Sequence, residues 1–205
     1  MKLEQVRRTY TAWAPLYNAT HAWSLPGRRA ARLALGARPG DRVLDLACGT
    51  GLNFPHLRQL VGDRGTIVGV DLTPAMLAVA RRMIAAQGWQ NVEVHAADAP
   101  QLPFPDVSFD KAICTFALNI IPDFAQAIEE IRRVLLPSGR FVSLEMRSGL
   151  HRLPRWLQPL TQICAVDMTH QTLDELKRAF GDIQVHHYWM GMIFIAMATK
   201  NGSQG

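Results

Sequence analysis

Apolar positions recur along the chain first at helical spacing and then at strand spacing. Leu3, Val6, Tyr10, Trp13 and Tyr17 fall on one face of a helix over residues 3–17, with Arg7 and Arg8 off that stripe. A second, basic helix is predicted over 27–35, ended by Gly36 and the turn Arg38-Pro39-Gly40-Asp41. From residue 42 short apolar runs alternate with amphipathic stretches. Strands are predicted at 42–48, 66–71, 91–98, 109–118 and 140–146. Between them lie a short helix reaching Leu60, a helix capped by Thr73 and closed by Gly88, and a helix opened by Asp123 and Gln126. The second of these is expected to bury Met76, Val79, Ala80, Met83 and Ile84, and the third to stop at Pro137-Ser138-Gly139.

Residues 147–171 break this rhythm, with Pro154 and Pro159 beside Trp156 and the arginines Arg147, Arg152 and Arg155. They read as an inserted cap. A further helix is expected at 172–181, opened by Thr172 and Glu175, followed by strands at 183–188 and 192–199 around Gly191. Strands that alternate with helices imply an α/β, doubly wound, Rossmann-like sheet: seven strands, mostly parallel, with one antiparallel strand near the C-terminus. The expected organisation is one domain over residues 1–205, with a helical lid at 1–40 and the cap at 147–171.

Composition changes this picture in two places. The net charge is +5, and residues 1–42 hold eight basic side chains (Lys2, Arg7, Arg8, Arg28, Arg29, Arg32, Arg38 and Arg42) against Glu4 and Asp41. Such a front end suits an anionic partner, whether a lipid (anionic membrane) surface, nucleic acid or an acidic substrate, or is a solvated helix face. Cys48, Cys114 and Cys164 fit neither a disulfide framework nor zinc spacing, and no other cluster has metal-ligand spacing, so a metal-free protein is expected. His186 and His187, adjacent in a strand, point to opposite faces, one expected buried and one solvated. No signal-peptide apolar region is evident at the start, and no apolar run reaches the about 20 residues that span a bilayer. The expected location is cytoplasmic, or peripheral at the inner face of the membrane.

The chemistry concentrates in five residues. In an open α/β sheet ligands bind beyond the carboxyl ends of the strands, where Asp45, Gly49, Gly51, Asp71 and Asp98 are expected. The glycines allow close backbone approach. Asp71 can accept from two ribose hydroxyls and Asp98 from an adenine amine, while Leu72 and Met76 can sandwich the ring. Asp45 and the carbonyl beside Ala47 can face a cationic amino group. A nicotinamide dinucleotide would require a third glycine, yet Phe54 stands there, and Asp45 would oppose a pyrophosphate. S-adenosylmethionine is cationic and lacks phosphate, so these acids suit it better.

Val43-Leu-Asp-Leu-Ala-Cys-Gly-Thr-Gly51, Gly69-Val-Asp-Leu-Thr-Pro-Ala-Met76, Ala97-Asp-Ala99, Leu102-Pro-Phe-Pro105 and Ser108-Phe-Asp110 resemble the successive motifs of class I S-adenosylmethionine-dependent methyltransferases. The resemblance is to the branch of quinone C-methyltransferases and bacterial phospholipid N-methyltransferases, and covers about residues 40–145. It implies S-adenosylmethionine as cofactor and S-adenosylhomocysteine as product, with Asp71 on the ribose, Asp98 on the adenine amine and the Ala99 amide on an adenine ring nitrogen. Gly49 and Gly51 would shape the methionine pocket, and Phe116 would border it. Ala47 stands where the family has its first glycine.

Methyl transfer is an in-line displacement governed by positioning and exclusion of water, so no catalytic residue need be conspicuous. The candidates are Tyr17 and His21, with Tyr10 on the lid beside them, and Glu145 at the end of the fifth strand. Relatives often carry histidine near Asn119, which argues against a histidine mechanism at that strand end. The leading expectation for the acceptor is a phospholipid amine headgroup of the phosphatidylethanolamine type, from the basic front end and the Arg/Trp cap. Alternatives are a quinone ring carbon or a soluble metabolite; outside this class stand a cofactor-binding protein without catalysis and a nucleic-acid binder. Against nucleic acid, the positive charge coincides with apolar stripes, and no Asn/Asp-Pro-Pro-aromatic tetrad follows the fourth strand.

Overall fold

A computed structural model of the chain describes residues 3–146, 172–189 and 193–202. The expected cap at 147–171, with His170 and Cys164, and the Gly191 turn lie outside the described residues. The lid comprises α1 (Leu3–Trp13), α2 (Tyr17–Thr20) and α3 (Leu25–Leu35). The alternating part runs β1 (Arg42–Leu46), α4 (Phe54–Val61), β2 (Thr66–Asp71), α5 (Pro74–Gln87) and β3 (Val92–Ala96). It continues with β4 (Phe109–Thr115), α6 (Phe124–Val134), β5 (Leu135–Met146), α7 (Thr172–Phe180), β6 (Ile183–Tyr188) and β7 (Ile193–Thr199).

The seven strands lie in the order β3-β2-β1-β4-β5-β7-β6. All neighbours from β3 to β5 are parallel, and β7 runs antiparallel to both β5 and β6. This is the expected mostly parallel sheet with one reversed strand. The chain winds outward from β1 to β3 and then returns to add β4 on the other side. The crevice beyond β1 and β4 is therefore the switch point where a ligand binds in such a sheet.

Side-chain alternation builds two cores. Leu44 and Leu46 of β1 face a cluster with Ile128 and Ile131 of α6 and Leu176 and Phe180 of α7. Val43 faces the opposite cluster, with Ala31 and Leu35 of α3, Leu57 of α4 and Leu77 and Ala80 of α5. Asp45 shares the face of Val43 and so points toward α3.

Several boundaries differ from the sequence reading, for identifiable reasons. The lid helix stops at Trp13 because Pro15 lacks an N–H and disfavours helix in the residue before it. On α5 the buried stripe includes Leu77, while Val79 is only half-buried. Strand β4 ends at Thr115, and a short turn of helix, Leu118–Ile120, follows. Asp123 caps α6 as expected, its side chain accepting from the Gln126 amide at 3.2 Å. The Pro137-Ser138-Gly139 turn lies inside β5 rather than ending α6, with the pairing shifted between Phe109 and Lys111. His186 and His187 are both exposed, because β6 is an edge strand with its outer residues open to solvent. Among the described residues no helix is long and apolar enough to cross a membrane.

Candidate functional site

Beyond the carboxyl ends of β1, β2 and β4 lies a cleft of about 690 Å³, its open mouth included. One side is formed by the ends of β2 and β3, with Val70, Asp71, Leu72, Met76, Asp98 and Ala99 on its wall. The floor is Ala47 and Gly49. The other side is formed by Thr115, Phe116 and Ile120 after β4, and Leu3, Val6, Tyr10 and Tyr17 of the lid close over the top.

Asp71 ends β2 with each carboxylate oxygen on one amide. Oδ2 accepts from Gly49 N–H at 2.9 Å and Oδ1 from Thr73 N–H at 2.7 Å. The Thr73 hydroxyl also bonds this carboxylate, so three protein donors occupy most of its four lone-pair sites, and a second ligand hydroxyl would displace the Thr73 hydroxyl. Burial raises the Asp71 carboxyl above its ordinary value, and the two amides partly offset this. Asp98 is raised in the same way, offset by a bond from the Ala99 amide. That amide, expected to face an adenine nitrogen, is engaged with Asp98 here.

The backbone of the floor is left-handed at Ala47 (φ 51°) and Gly49 (φ 58°). A Cβ placed on Gly49 would meet nothing nearer than the Tyr17 ring, 4.0 Å away. The space above Gly49 is thus open to the cleft, as close approach of a ligand requires. Gly51 differs. A Cβ there would stand 2.6 Å from the Phe54 ring and 2.8 Å from Met83 Cε, and Gly51 is not on the cleft wall. Its left-handed backbone (φ 83°) and these contacts pack the loop on α4 and α5.

Asp45 also departs from expectation. It is fully buried, absent from the wall, and accepts from Asn53 Nδ2 at 3.1 and 3.2 Å. Burial pushes its carboxyl up to about 7, against the pull of Asn53, Arg28 and Arg32. Both arginines are 3% exposed. Arg28 donates from Nε to Ser24 Oγ at 3.0 Å and from Nη1 to Thr115 Oγ1, and its guanidinium lies 5.4 Å from the Phe116 ring centre. It also bonds the Tyr17 hydroxyl. Two of the eight front-end cations are therefore internal. Of the others, Arg8 pairs with Glu4 at 3.1 Å and Arg42 approaches Glu93 at 3.9 Å. A signal for the buried pair was present: Arg28, Ala31, Arg32 and Leu35 recur at helical spacing on one face.

The lid is latched to the floor. Thr50 Oγ1 donates to Asn18 Oδ1 at 2.5 Å, and Tyr17 is packed with its hydroxyl raised by burial. His21 stacks on Tyr17, ring centres 3.8 Å apart. Its Nδ1 lies 3.0 Å from the Tyr17 carbonyl oxygen. The same Nδ1 lies 3.0 Å from Thr20 Oγ1, so it either donates to the carbonyl, which leaves the lone pair on Nε2, or accepts from that hydroxyl. Burial lowers the His21 value below 6.5.

Glu145 does not reach the cleft. It is 1% exposed, and Oε1 accepts from the amides of Ala117 at 3.3 Å and Leu118 at 3.1 Å. It thus holds the turn after β4 from beneath, and burial pushes its carboxyl up to about 8. Between the ordinary value of 4.5 and about 8 the folded chain keeps a proton that the unfolded chain has released. Stability contributed by this group is complete at low pH and is lost as pH rises through that window. Asp45 acts with the same sign up to about 7. Thermal unfolding followed from pH 5 to 9 is therefore expected to show a melting temperature that falls with pH. In Glu145→Gln the part of the fall above pH 7 disappears; a variant that tracks the unaltered chain throughout contradicts this assignment.

A family model described as a methyltransferase domain matches residues 37–193. The demethylmenaquinone methyltransferase of Symbiobacterium thermophilum is 39% identical over 121 residues, covering 58% of this chain and 48% of the relative. The 2-phytyl-1,4-naphtoquinone methyltransferase of Synechococcus elongatus is 37% identical over 161 residues, covering 70% of this chain and 66% of the relative. The match thus spans from about half to two thirds of the length of these curated relatives. Among solved structures, the [4+2]-cyclase SpnF superposes with a TM-score of 0.79 at 21% identity, over 96% of this chain and 95% of that one, a likeness of fold alone.

Proposed function

The chain belongs to the methyltransferase-domain family, and on that premise we propose that it moves a methyl group from S-adenosylmethionine to a ring carbon of a reduced, quinone-type acceptor. The observation that carries the choice of acceptor is the chemistry of the cleft wall. Its charged side chains among the described residues are Asp71 and Asp98, both on the β2–β3 side. The β4 side presents Phe116 and Ile120 and the lid above it Tyr10 and Tyr17, walls for a neutral planar ring. A phospholipid headgroup carries a phosphate and calls for a cation, and Arg28 and Arg32 are occupied in the interior. The names of the quinone methyltransferase relatives support the same choice over the phospholipid amine expected from sequence. A lipophilic acceptor of this class is met at a bilayer surface, so peripheral membrane association belongs with the reading.

The site fits the donor. Asp71 can accept from the ribose hydroxyls where the Thr73 hydroxyl gives way, Asp98 offers an acceptor for the adenine amine, and Gly49 leaves its backbone open beneath the methionine portion. When bound, S-adenosylmethionine supplies an electrophilic methyl on a sulfonium. The lid residues Leu3, Val6 and Tyr10 exclude water, and Phe116 and Tyr17 orient the acceptor ring. His21 is not itself on the cleft wall but stacks behind Tyr17, and we assign it as the base that takes the ring hydroxyl proton past that ring, which drives electron density onto the adjacent ring carbon. That carbon forms the new C–C bond as the carbon–sulfur bond breaks, and its hydrogen then leaves as a proton to restore the ring.

The test is one methyl-transfer assay on three acceptors: a reduced naphthoquinone, phosphatidylethanolamine vesicles and a polar catechol. Turnover is expected on the naphthoquinone far above the other two, with an acid limb set by a value below 6.5. His21→Asn is expected to lose roughly 100-fold or more in kcat and to lack that limb. Preferred turnover of the phospholipid overturns the acceptor class; an intact acid limb in the variant overturns the role of His21.

A further inference from the structure

Outside the cleft, three aromatic rings run in a line from its wall to the surface. Phe116 is on the wall, the Trp23 ring centre is 5.6 Å from it, and the Trp189 ring centre is 6.2 Å beyond Trp23. The outer two are 42% and 53% exposed, with Leu25 and Tyr188, their near neighbours in the chain, each 42% exposed. Bulky apolar side chains left open together mark a contact surface, where single exposed ones do not. The backbone also departs from ease at both ends of the line. Phe116 (φ 58°) and Trp189 (φ 48°) are left-handed, a region that favours glycine and disfavours large side chains. Such strain persists where the surroundings enforce it and gathers at binding sites. At Phe116 the ring also lies against the buried Arg28 guanidinium, 5.4 Å from its centre.

We propose that Trp23 and Trp189 form a subsite for the apolar chain of a ring acceptor, leading outward from Phe116; the proposal rests on the quinone-type reading above. A ring seated beside Phe116 must direct its substituents through the mouth of the cleft. A hydrocarbon chain leaving on this side lies along the faces of Trp23 and Trp189 and covers the apolar area they expose. The two tryptophans act on acceptor affinity; Trp23 also adjoins the His21 ring, 6.4 Å away, while Trp189 lies on its far side from Phe116 in the contact chain.

The experiment compares two reduced naphthoquinones, one without a side chain and one with a short prenyl chain, on the unaltered chain and on the double variant Trp23→Ala/Trp189→Ala. For the prenylated acceptor KM is expected to rise on the order of tenfold or more, while kcat, which the loss of Trp23 beside His21 can lower, changes alike for both acceptors. The unsubstituted acceptor shows no comparable rise, and Trp23→Phe/Trp189→Phe recovers most of the loss. Unchanged calorimetric binding of S-adenosylhomocysteine checks that the variant is folded. Equal shifts for both acceptors, or none, overturn the subsite. So does a change of oligomeric state with no dependence on the side chain, which makes the pair a contact between copies. If the unaltered chain methylates neither ring, the functional reading fails separately. Calorimetric binding of the prenylated quinone then decides the subsite alone: loss of binding in the double variant upholds it, and unchanged binding overturns it.

Discussion

Replacing Asp71 by alanine is expected to weaken binding of S-adenosylmethionine by at least about 100-fold, measured by calorimetry. Each hydrogen bond to a charged acceptor contributes roughly 1.5–3 kcal/mol, and two ribose hydroxyls on one carboxylate together exceed the about 2.7 kcal/mol that such a factor represents. The variant also frees the amides of Gly49 and Thr73, which Asp71 now holds at 2.9 and 2.7 Å, so the floor and the start of α5 lose their common anchor. Asp71→Asn keeps one acceptor oxygen and is expected to fall between the two. Binding of the alanine variant within about threefold of the unaltered chain contradicts the assignment of this side of the cleft to the nucleoside.

Replacing Arg28 by methionine is expected to destabilise the chain by roughly 3 kcal/mol, because it removes a buried charge and leaves its partners behind. Ser24 Oγ, Thr115 Oγ1 and the Tyr17 hydroxyl each lose a donor, and Asp45 loses one of the two cations that restrain its protonation. At this chain length the melting temperature should fall by about 6–12 °C. Activity should suffer beyond the loss of folded protein, since Thr115, Phe116 and Tyr17 all line the cleft and all touch this guanidinium. In an Asp45→Asn background the same replacement should cost less, because the charge that Arg28 balances is gone. Additive effects contradict the coupling of the lid to β1 through this pair.

What was legible in the sequence follows from which physical signals are local. Strand and helix periods, the left-handed closures at Gly36 and Gly88, and the Asp123 cap are short-range features, and the fold follows them closely. The acid ending β2 was legible for the same reason: a strand end and a following helix start place Asp71 at the switch point. Asp45 was not, because its role depends on which sheet face it shares and on what covers that face. A residue before the strand's end turns toward α3, and only the packing of α3 shows that two arginines await it there. At Gly51 a glycine required by a neighbouring phenylalanine and one required by a ligand have the same one-letter signature; only the structure shows the Phe54 ring 2.6 Å from where a Cβ would stand. The aromatic line of Phe116, Trp23 and Trp189 joins residues more than 150 positions apart and has no sequence period at all. Charge counting at the front of the chain likewise could not tell a surface arginine from a buried one, and it led toward a phospholipid headgroup, whereas the charged side chains lining the cleft among the described residues are both acidic.

The most direct test of the central claim is to supply S-adenosylmethionine carrying a ¹³C-labelled methyl together with a reduced naphthoquinone, and to locate the label in the product by NMR. The account predicts a methyl carbon bonded to a ring carbon, with the labelled hydrogens coupled into the aromatic system. A label found on oxygen, in an added phospholipid amine, or in no acceptor while the nucleoside still binds at Asp71 would contradict it.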